Sequence, residues 1–270
     1  MNKPIGVFDS GVGGLTVARE ILRHLPGETI VYFGDTARVP YGTKSKEAIR
    51  RFALEDARFL ISKDVKMIVA ACNSVSSNAL SCLKEEFVIP IIGVIEPGAR
   101  AACEATRNNK IGVIGTSATI ESGAYEEAIH RAKQNVDVIS AACPLFVPLV
   151  EEGWLDEKIT VDIAKEYLVP LLEKGIDTLL LGCTHYPLLE RSIGTVTGSE
   201  VVLVDSAETT AKEVAEQLRR GEPAENGHGD RAHQFFLSDI PRNFAEIGKR
   251  FLGREIEPLH RVDLVEHTPA

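Results

Sequence analysis

Two cysteines carry the strongest chemical signal in the sequence, because each closes an apolar run and opens a polar one. Leu179-Leu180-Leu181-Gly182-Cys183-Thr184-His185-Tyr186-Pro187 is the sharper of the two, and Met67-Ile68-Val69-Ala70-Ala71-Cys72-Asn73-Ser74 repeats its design. Continuous apolar runs of this kind mark strands buried on both faces of a parallel sheet. Ligands of open α/β sheets bind at the carboxyl ends of such strands. Both thiols therefore fall where chemistry is expected. A helix following each cysteine would aim its positive end at the sulfur and favour thiolate over the ordinary thiol pKa of about 8.5. A single free cysteine is most simply a small buried hydrophobe; two in matched contexts call for another account.

Two thiols on opposite walls of one cleft suit proton transfer at a stereocentre, with a base on one face and an acid on the other. A soft thiolate facing a neutral thiol does this without a cofactor. No lysine occupies a strand end, where a Schiff base with a pyridoxal cofactor would form. Asp9, Glu151 and His185 are the candidate groups that set the protonation of the thiols: the first two at strand-end or loop positions, the third two residues beyond Cys183. Ser10-Gly11, Asn73-Ser74 and Thr184-His185 add hydroxyls, an amide and free backbone N–H groups at helix starts, an inventory that binds a small carboxylate. The turn Asp9-Ser10-Gly11-Val12-Gly13-Gly14 is not a dinucleotide fingerprint, since Thr16 stands at the third glycine position, and it lacks the Lys-Ser or Lys-Thr of a phosphate loop. It is either an anion-binding nest or a capped connection into a helix.

The elements that must position these groups alternate between strand and helix. Ile5–Phe8 and Thr29–Gly34 read as strands, the latter ending at Asp35, with a helix from Leu15 to Leu25 between them. A loop through Val39-Pro40-Tyr41-Gly42 leads into a helix over Lys46–Lys63; a helix over Ser76–Phe87 and a strand over Ile91–Pro97 follow the Cys72 strand. The pattern then restarts. Lys110–Ser117 repeats the first strand and turn, with Ile111 lying 106 residues after Ile5. Val138-Ile139-Ser140 repeats the second strand, and Val147-Pro148 echoes Val39-Pro40 at 108, in a loop that would hold Glu151, Glu152 and Gly153. Cys183 follows Cys72 by 111 residues, and Val201–Asp205 matches Ile91–Glu96 with Asp205 109 residues after Glu96. We therefore expect an α/β fold of two pseudo-symmetric, doubly wound, mostly parallel-sheet domains, with the active site in the cleft between them. Residues 1–97 and 208–270 would form the first domain, carrying Cys72, and residues 98–207 the second, carrying Cys183. A helix over Ala207–Arg220 and a polar loop over Gly221–Asp230 precede the returning segment Gln234–Ile256. His228, His233, His260 and His267 read as solvated surface side chains.

Composition narrows the function classes. The 270 residues are 44% hydrophobic and 26% charged, a globular balance with ample material for a core. No apolar run approaches the roughly 18 residues of a membrane span, and Met1-Asn2-Lys3-Pro4 leads straight into a strand with no signal peptide. The five cysteines show no CxxC spacing, which points to reduced thiols in a cytoplasmic protein and to no metal site. A net charge of −9 makes nucleic acid or an anionic membrane an unsuitable main partner.

Asp9-Ser10-Gly11-Val12-Gly13-Gly14, Val39-Pro40-Tyr41-Gly42, Ala71-Cys72-Asn73 and Gly182-Cys183-Thr184-His185-Tyr186-Pro187 together resemble the glutamate racemases of the aspartate/glutamate racemase superfamily, over essentially the whole chain and in order. The resemblance implies cofactor-independent interconversion of L- and D-glutamate, with Cys72 and Cys183 as the acid/base pair. It implies a supply of D-glutamate for peptidoglycan, hence for cell-wall biogenesis and cell shape, and a homodimer. By the same resemblance, Asp9, Ser10, Tyr41, Gly42, Asn73, Ser74, Thr184 and His185 contact substrate, and Asp35 and Glu151 are supporting acids. Ser74 departs from the family's usual threonine, keeping the hydroxyl but losing the β-branch that restricts its rotamer.

Three rivals have distinct signatures. An aspartate racemase of the same superfamily would share the cysteine pair, but that branch carries Glu after Cys-Thr, where this chain has His185. A two-domain binding protein would leave both thiols unemployed. A thiol-redox protein would need its cysteines adjacent and not on opposite sides of a bound molecule.

Overall fold

The computed structural model describes residues 3–220, 232–241 and 244–264. The expected loop over 221–230, with His228, and also His267 lie outside the described residues. The chain opens with β1 (Ile5–Asp9), α1 (Leu15–His24), β2 (Ile30–Gly34), α2 (Lys46–Ser62), β3 (Met67–Ala70), α3 (Asn73–Asn78), α4 (Leu80–Glu86), β4 (Ile91–Gly93) and α5 (Ile95–Ala105). It continues with β5 (Lys110–Gly115), α6 (Ser117–Glu121), α7 (Ala124–Ala132), β6 (Asp137–Ala142), α8 (Phe146–Glu151) and α9 (Lys158–Leu172). After β7 (Thr178–Gly182) come α10 (Glu190–Thr197), β8 (Val202–Asp205), α11 (Ser206–Arg220), β9 (Gln234–Leu237), α12 (Phe244–Leu252) and β10 (Leu259–Arg261).

The strands form two sheets, ordered β10-β9-β2-β1-β3-β4 and β6-β5-β7-β8. Every pairing is parallel. The α/β class with two mostly parallel sheets is thus as the sequence predicts, and the repeat is visible in the register. Ile5 pairs with Ile30 and Met67, and Ile111 pairs with Val138 and Thr178. Each cysteine follows the first residue of its strand, Met67 or Thr178, by five positions. The strands that carry the site, β1, β3 and β7, are buried along their whole length. One apolar cluster joins Ile5, Val7 and Val69 of the first sheet to Leu179 and Leu181 of the second, so the two sheets share a core. Such continuous burial is why these segments read as unbroken apolar runs.

Several local expectations give way to tertiary context. The expected strand over Ile91–Pro97 ends at Gly93, and Ile95 starts α5. Pro97 sits in the first turn of that helix, where its missing N–H costs nothing, and Glu96 meets the positive helix end. Helices α5 and α11 start at Ile95 and Ser206, so the repeat places Val94, not Glu96, opposite Asp205. The helix over Ser76–Phe87 is two short helices that start at Asn73 and break at Ala79, whose φ is −128°. Val147-Pro148 lies inside α8, whereas Val39-Pro40 lies in a loop before a single 3₁₀ turn, Tyr41–Thr43. Glu151 is consequently the last residue of a helix. His233 is half-buried and accepts a hydrogen bond from the Ile30 N–H at 3.2 Å, so it is not a solvated surface side chain. His260 is exposed but stacks on Phe236 with ring centroids 5.1 Å apart.

Gly34 ends β2 where the first-half turn folds back over it. A Cβ there would collide with the Gly11 carbonyl and approach Leu237 Cδ2 to 2.8 Å. Because one obstacle is backbone, Gly34→Ala is expected to destabilise the fold by about 1–3 kcal/mol. Thermal unfolding followed by circular dichroism checks this, with a fall of about 2–4 °C per kcal/mol.

Candidate functional site

The carboxyl ends of β1, β2, β3, β5 and β7 and the start of α8 converge on one small cavity. The first half contributes Ser10, the Val39–Gly42 loop and Cys72, Asn73 and Ser74; the second contributes Thr116, Val147, Cys183, Thr184 and His185. Both cysteines are free thiols and buried. The cavity volume is about 20 Å³, close to the space of a single water.

The two sulfurs have different surroundings. Cys72 caps the start of α3, and its Sγ lies 3.7 Å from Ser10 Oγ. Burial pushes this thiol up to about 12, helped by the nearby Asp9 carboxylate; the Val75 N–H and Ser10 oppose the shift without overcoming it. The expected thiolate-favouring effect of the helix is therefore outweighed, since α3 has only six residues and the sulfur is dehydrated. Cys183 has no helix at its back: a 3₁₀ turn, Tyr186–Leu189, precedes α10. It has His185 instead, with Nδ1 at 3.9 Å from Sγ and Nε2 at 3.2 Å from Glu151 Oε1. Burial alone would lower the imidazole pKa, but the partnership with Cys183 and Glu151 raises it to about 10. The partners of His185 thus favour its protonated, cationic form, which is suited to holding negative charge nearby.

Asp9 is completely buried and does not reach the cavity wall. Its Oδ2 accepts the Gly11 N–H at 2.9 Å, and its Oδ1 has no partner. Burial raises its pKa against the pull of His185 and of the turn's N–H groups. The turn after β1 reaches the other half of the molecule: a Cβ on Gly13 would collide with Thr184 Oγ1 and come within 2.7 Å of His185 Nδ1. In the opposite direction Ser74 Oγ lies 3.0 Å from Thr116 Oγ1 and 3.4 Å from Thr119 Oγ1.

Tyr41 meets the cavity through its loop, but its ring turns away. The hydroxyl donates to Asp35 and lies 3.1 Å from Asp56 Oδ2. Arg38 ties this cluster together, with Nε at 2.5 Å from Asp35, NH2 at 3.2 Å from Asp56 and NH1 on Glu55. Burial and the neighbouring Asp35 carboxylate push the Asp56 pKa well above its ordinary value. Asp35 is thus tied to the Val39–Gly42 loop through the Tyr41 hydroxyl and does not line the cavity.

The sequence-derived candidates Cys72, Cys183, Ser10, Tyr41, Gly42, Asn73, Ser74, Thr184 and His185 all line this cavity, while Asp9 and Glu151 stand directly behind it. Thr116, Thr119, Arg38 and Asp56 were not among them. Thr116 had a signal, because it lies 106 residues after Ser10, the offset of the first strands. Asp56 and Thr119 are brought in by helices α2 and α6, Arg38 by the loop after β2, and none of the three has a motif of its own. Among the described residues no group of three or more His, Cys, Asp or Glu side chains could hold a metal ion, and no helix is long and apolar enough to cross a membrane.

Comparison with known proteins identifies the family and the fold. Residues 5–214 match the Asp/Glu/hydantoin racemase family model. The chain is 54% identical over 262 residues to a glutamate racemase of Geobacter metallireducens, covering 97% of each. It superposes with a TM-score of 0.92 on the glutamate racemase of Francisella tularensis in complex with D-glutamate, at 41% identity and covering 98% of this chain and 99% of that one. A glutamate racemase isoform of Bacillus anthracis gives the same TM-score at 44% identity, covering 97% and 98% of the two chains.

The Arg38 cluster has a measurable weight. Arg38→Met leaves buried carboxyls without their cation and is expected to cost about 3–5 kcal/mol in urea unfolding. Tyr41→Phe removes one neutral donor and is expected to cost about 1–3 kcal/mol. Equal effects of the two substitutions would contradict this assignment of roles.

Proposed function

The chain belongs to the Asp/Glu/hydantoin racemase family, and from that premise we propose that it interconverts L- and D-glutamate without a cofactor, Cys72 and Cys183 handling the α-proton from opposite faces. The carrying observation is that two buried thiols from equivalent strand ends share one cavity yet differ in their partners. With L-glutamate, the Cys183 thiolate takes the α-proton: the Cα–H bond breaks, an S–H bond forms, and the electron pair passes into the substrate carboxylate. Cys72 gives its proton to the other face of Cα, leaving D-glutamate, a Cys72 thiolate and a Cys183 thiol. The reverse direction uses the same groups with roles exchanged. The high thiol pKa of Cys72 and the imidazolium beside Cys183 support this starting distribution of protons.

Asp9, Glu151 and His185 act in this mechanism by setting charge around the sulfurs. Ser10, Asn73, Ser74, Thr184, His185 and the backbone of Tyr41 and Gly42 bind the substrate's carboxylates and amine. His185 stands where the aspartate branch of the family carries Glu, and that resemblance favours glutamate over aspartate as substrate. Residues 1–97 with 208–270, and residues 98–207, are the two domains whose facing ends form the cleft. A cavity of about 20 Å³ is too small for an amino acid, so these walls move apart to admit one. We further assign the protein to the cytoplasm, as a homodimer supplying D-glutamate for peptidoglycan.

A circular dichroism assay with L-glutamate and L-aspartate, after exhaustive dialysis with a chelator, tests the proposal. Glutamate should be racemised undiminished, and kcat/KM for aspartate, one methylene shorter, should be lower by at least about tenfold. Activity restored only by pyridoxal phosphate, or equal efficiency on aspartate, would overturn it.

A further inference from the structure

Asn73 is among the residues assigned to the substrate, and what orients its amide is a separate question. It follows Cys72 directly, is 3% exposed and lines the cavity, yet its Nδ2 has no hydrogen-bond partner. Its Oδ1 is engaged, accepting the Tyr125 hydroxyl at 2.6 Å. Tyr125 is 3% exposed, sits on α7 in the second half, and does not line the cavity. Its ring packs under Gly182, where a Cβ would come within 2.9 Å of Cε2, and it borders Gly98 at 3.4 Å. The phenol oxygen is also hydrogen-bonded to the Ser206 hydroxyl at the start of α11. The phenol is therefore fixed on both sides of the ring and at its oxygen.

An amide has an accepting and a donating end, and which of them faces a ligand decides what it binds. We propose that Tyr125 is a positioning residue of the site: its hydroxyl holds Asn73 Oδ1 so that the amide NH₂ faces the cavity and donates to a carboxylate of the substrate. A flipped amide would set its carbonyl oxygen against that carboxylate. Held this way, the unpaired N–H group gains a charge-assisted bond only when the substrate is bound. The hydroxyl lies in one half and the amide in the other, so this bond also fixes the segment after Cys72 against the residue before Cys183. The inference rests on the proposed carboxylate substrate, glutamate.

The test is a cycle of four proteins, wild type, Tyr125→Phe, Asn73→Ala and the double variant, assayed for kcat and KM with L- and with D-glutamate. Tyr125→Phe keeps the ring and its packing; it is expected to raise KM about tenfold in both directions while kcat changes far less. In the Asn73→Ala background the same substitution should add almost nothing, because the group it orients is gone. Unchanged KM in Tyr125→Phe, or effects that multiply in the double variant, would overturn the proposal. A Tyr125→Phe protein that failed to fold would also count against it, since the hydroxyl is assigned to binding. In the wild type, the Asn73 side-chain amide signals in ¹⁵N NMR should shift on addition of D-glutamate, and their constancy would refute the contact. Wild type that did not racemise glutamate at all would defeat the underlying function instead, a result separate from each of these.

Discussion

The site depends on how closely the two halves approach each other, and small residues permit that approach. Gly13 leaves room for Thr184 and His185 to come up against the turn after β1. Gly42 does the same for Thr116, whose Oγ1 would lie 2.7 Å from a Cβ at that position. Each contact links a strand end of one half to a strand end of the other, and the shared apolar core behind them holds the two sheets together. A single methyl group at either glycine would push the walls apart at the level of the thiols. The chain is therefore constrained to glycine by packing at the same places where an anion-binding turn would use it.

Within this near-symmetry the chemistry is asymmetric. The residue 111 positions after Ser74 is His185, so one thiol has a hydroxyl network nearby and the other a cation. Asp9 has no acidic counterpart, because Gly115 stands 106 positions later. Burial works on both sides: at Cys72 it favours the proton-bearing thiol, while at His185 the partnership with Cys183 and Glu151 overcomes it and favours the charged imidazole. A symmetric substrate binding site would treat both enantiomers alike; charge placement is what distinguishes the two directions in the proposed mechanism.

Much of this was legible in the sequence because buried parallel strands leave an unmistakable apolar trace, and because the trace occurs twice. The repeat located both cysteines, and its offset would also have located Thr116 from Ser10. What the repeat could not convey is where two equivalent segments diverge. Val39-Pro40 and Val147-Pro148 match in sequence but form a loop and a helix, since a proline is tolerated in a first helical turn. Ile95-Glu96-Pro97 likewise looks like strand and polar stop, and is helix. The expected helix behind Cys183 was wrong in kind: a 3₁₀ turn and a histidine stand there. Arg38, Asp56 and Tyr125 had no signal of their own, because their roles come from side chains that meet only after helices α2 and α7 have docked.

The central claim is that two thiols divide the proton transfer, and racemisation in heavy water tests it most directly. Starting from unlabelled L-glutamate, early product D-glutamate should carry solvent deuterium at Cα while the remaining L-glutamate stays largely unlabelled, and the converse should hold from D-glutamate. Different groups would then deliver and remove the proton. Deuterium appearing at equal rates in both enantiomers, or product that retains the substrate's own proton, would contradict the account and point to a single base.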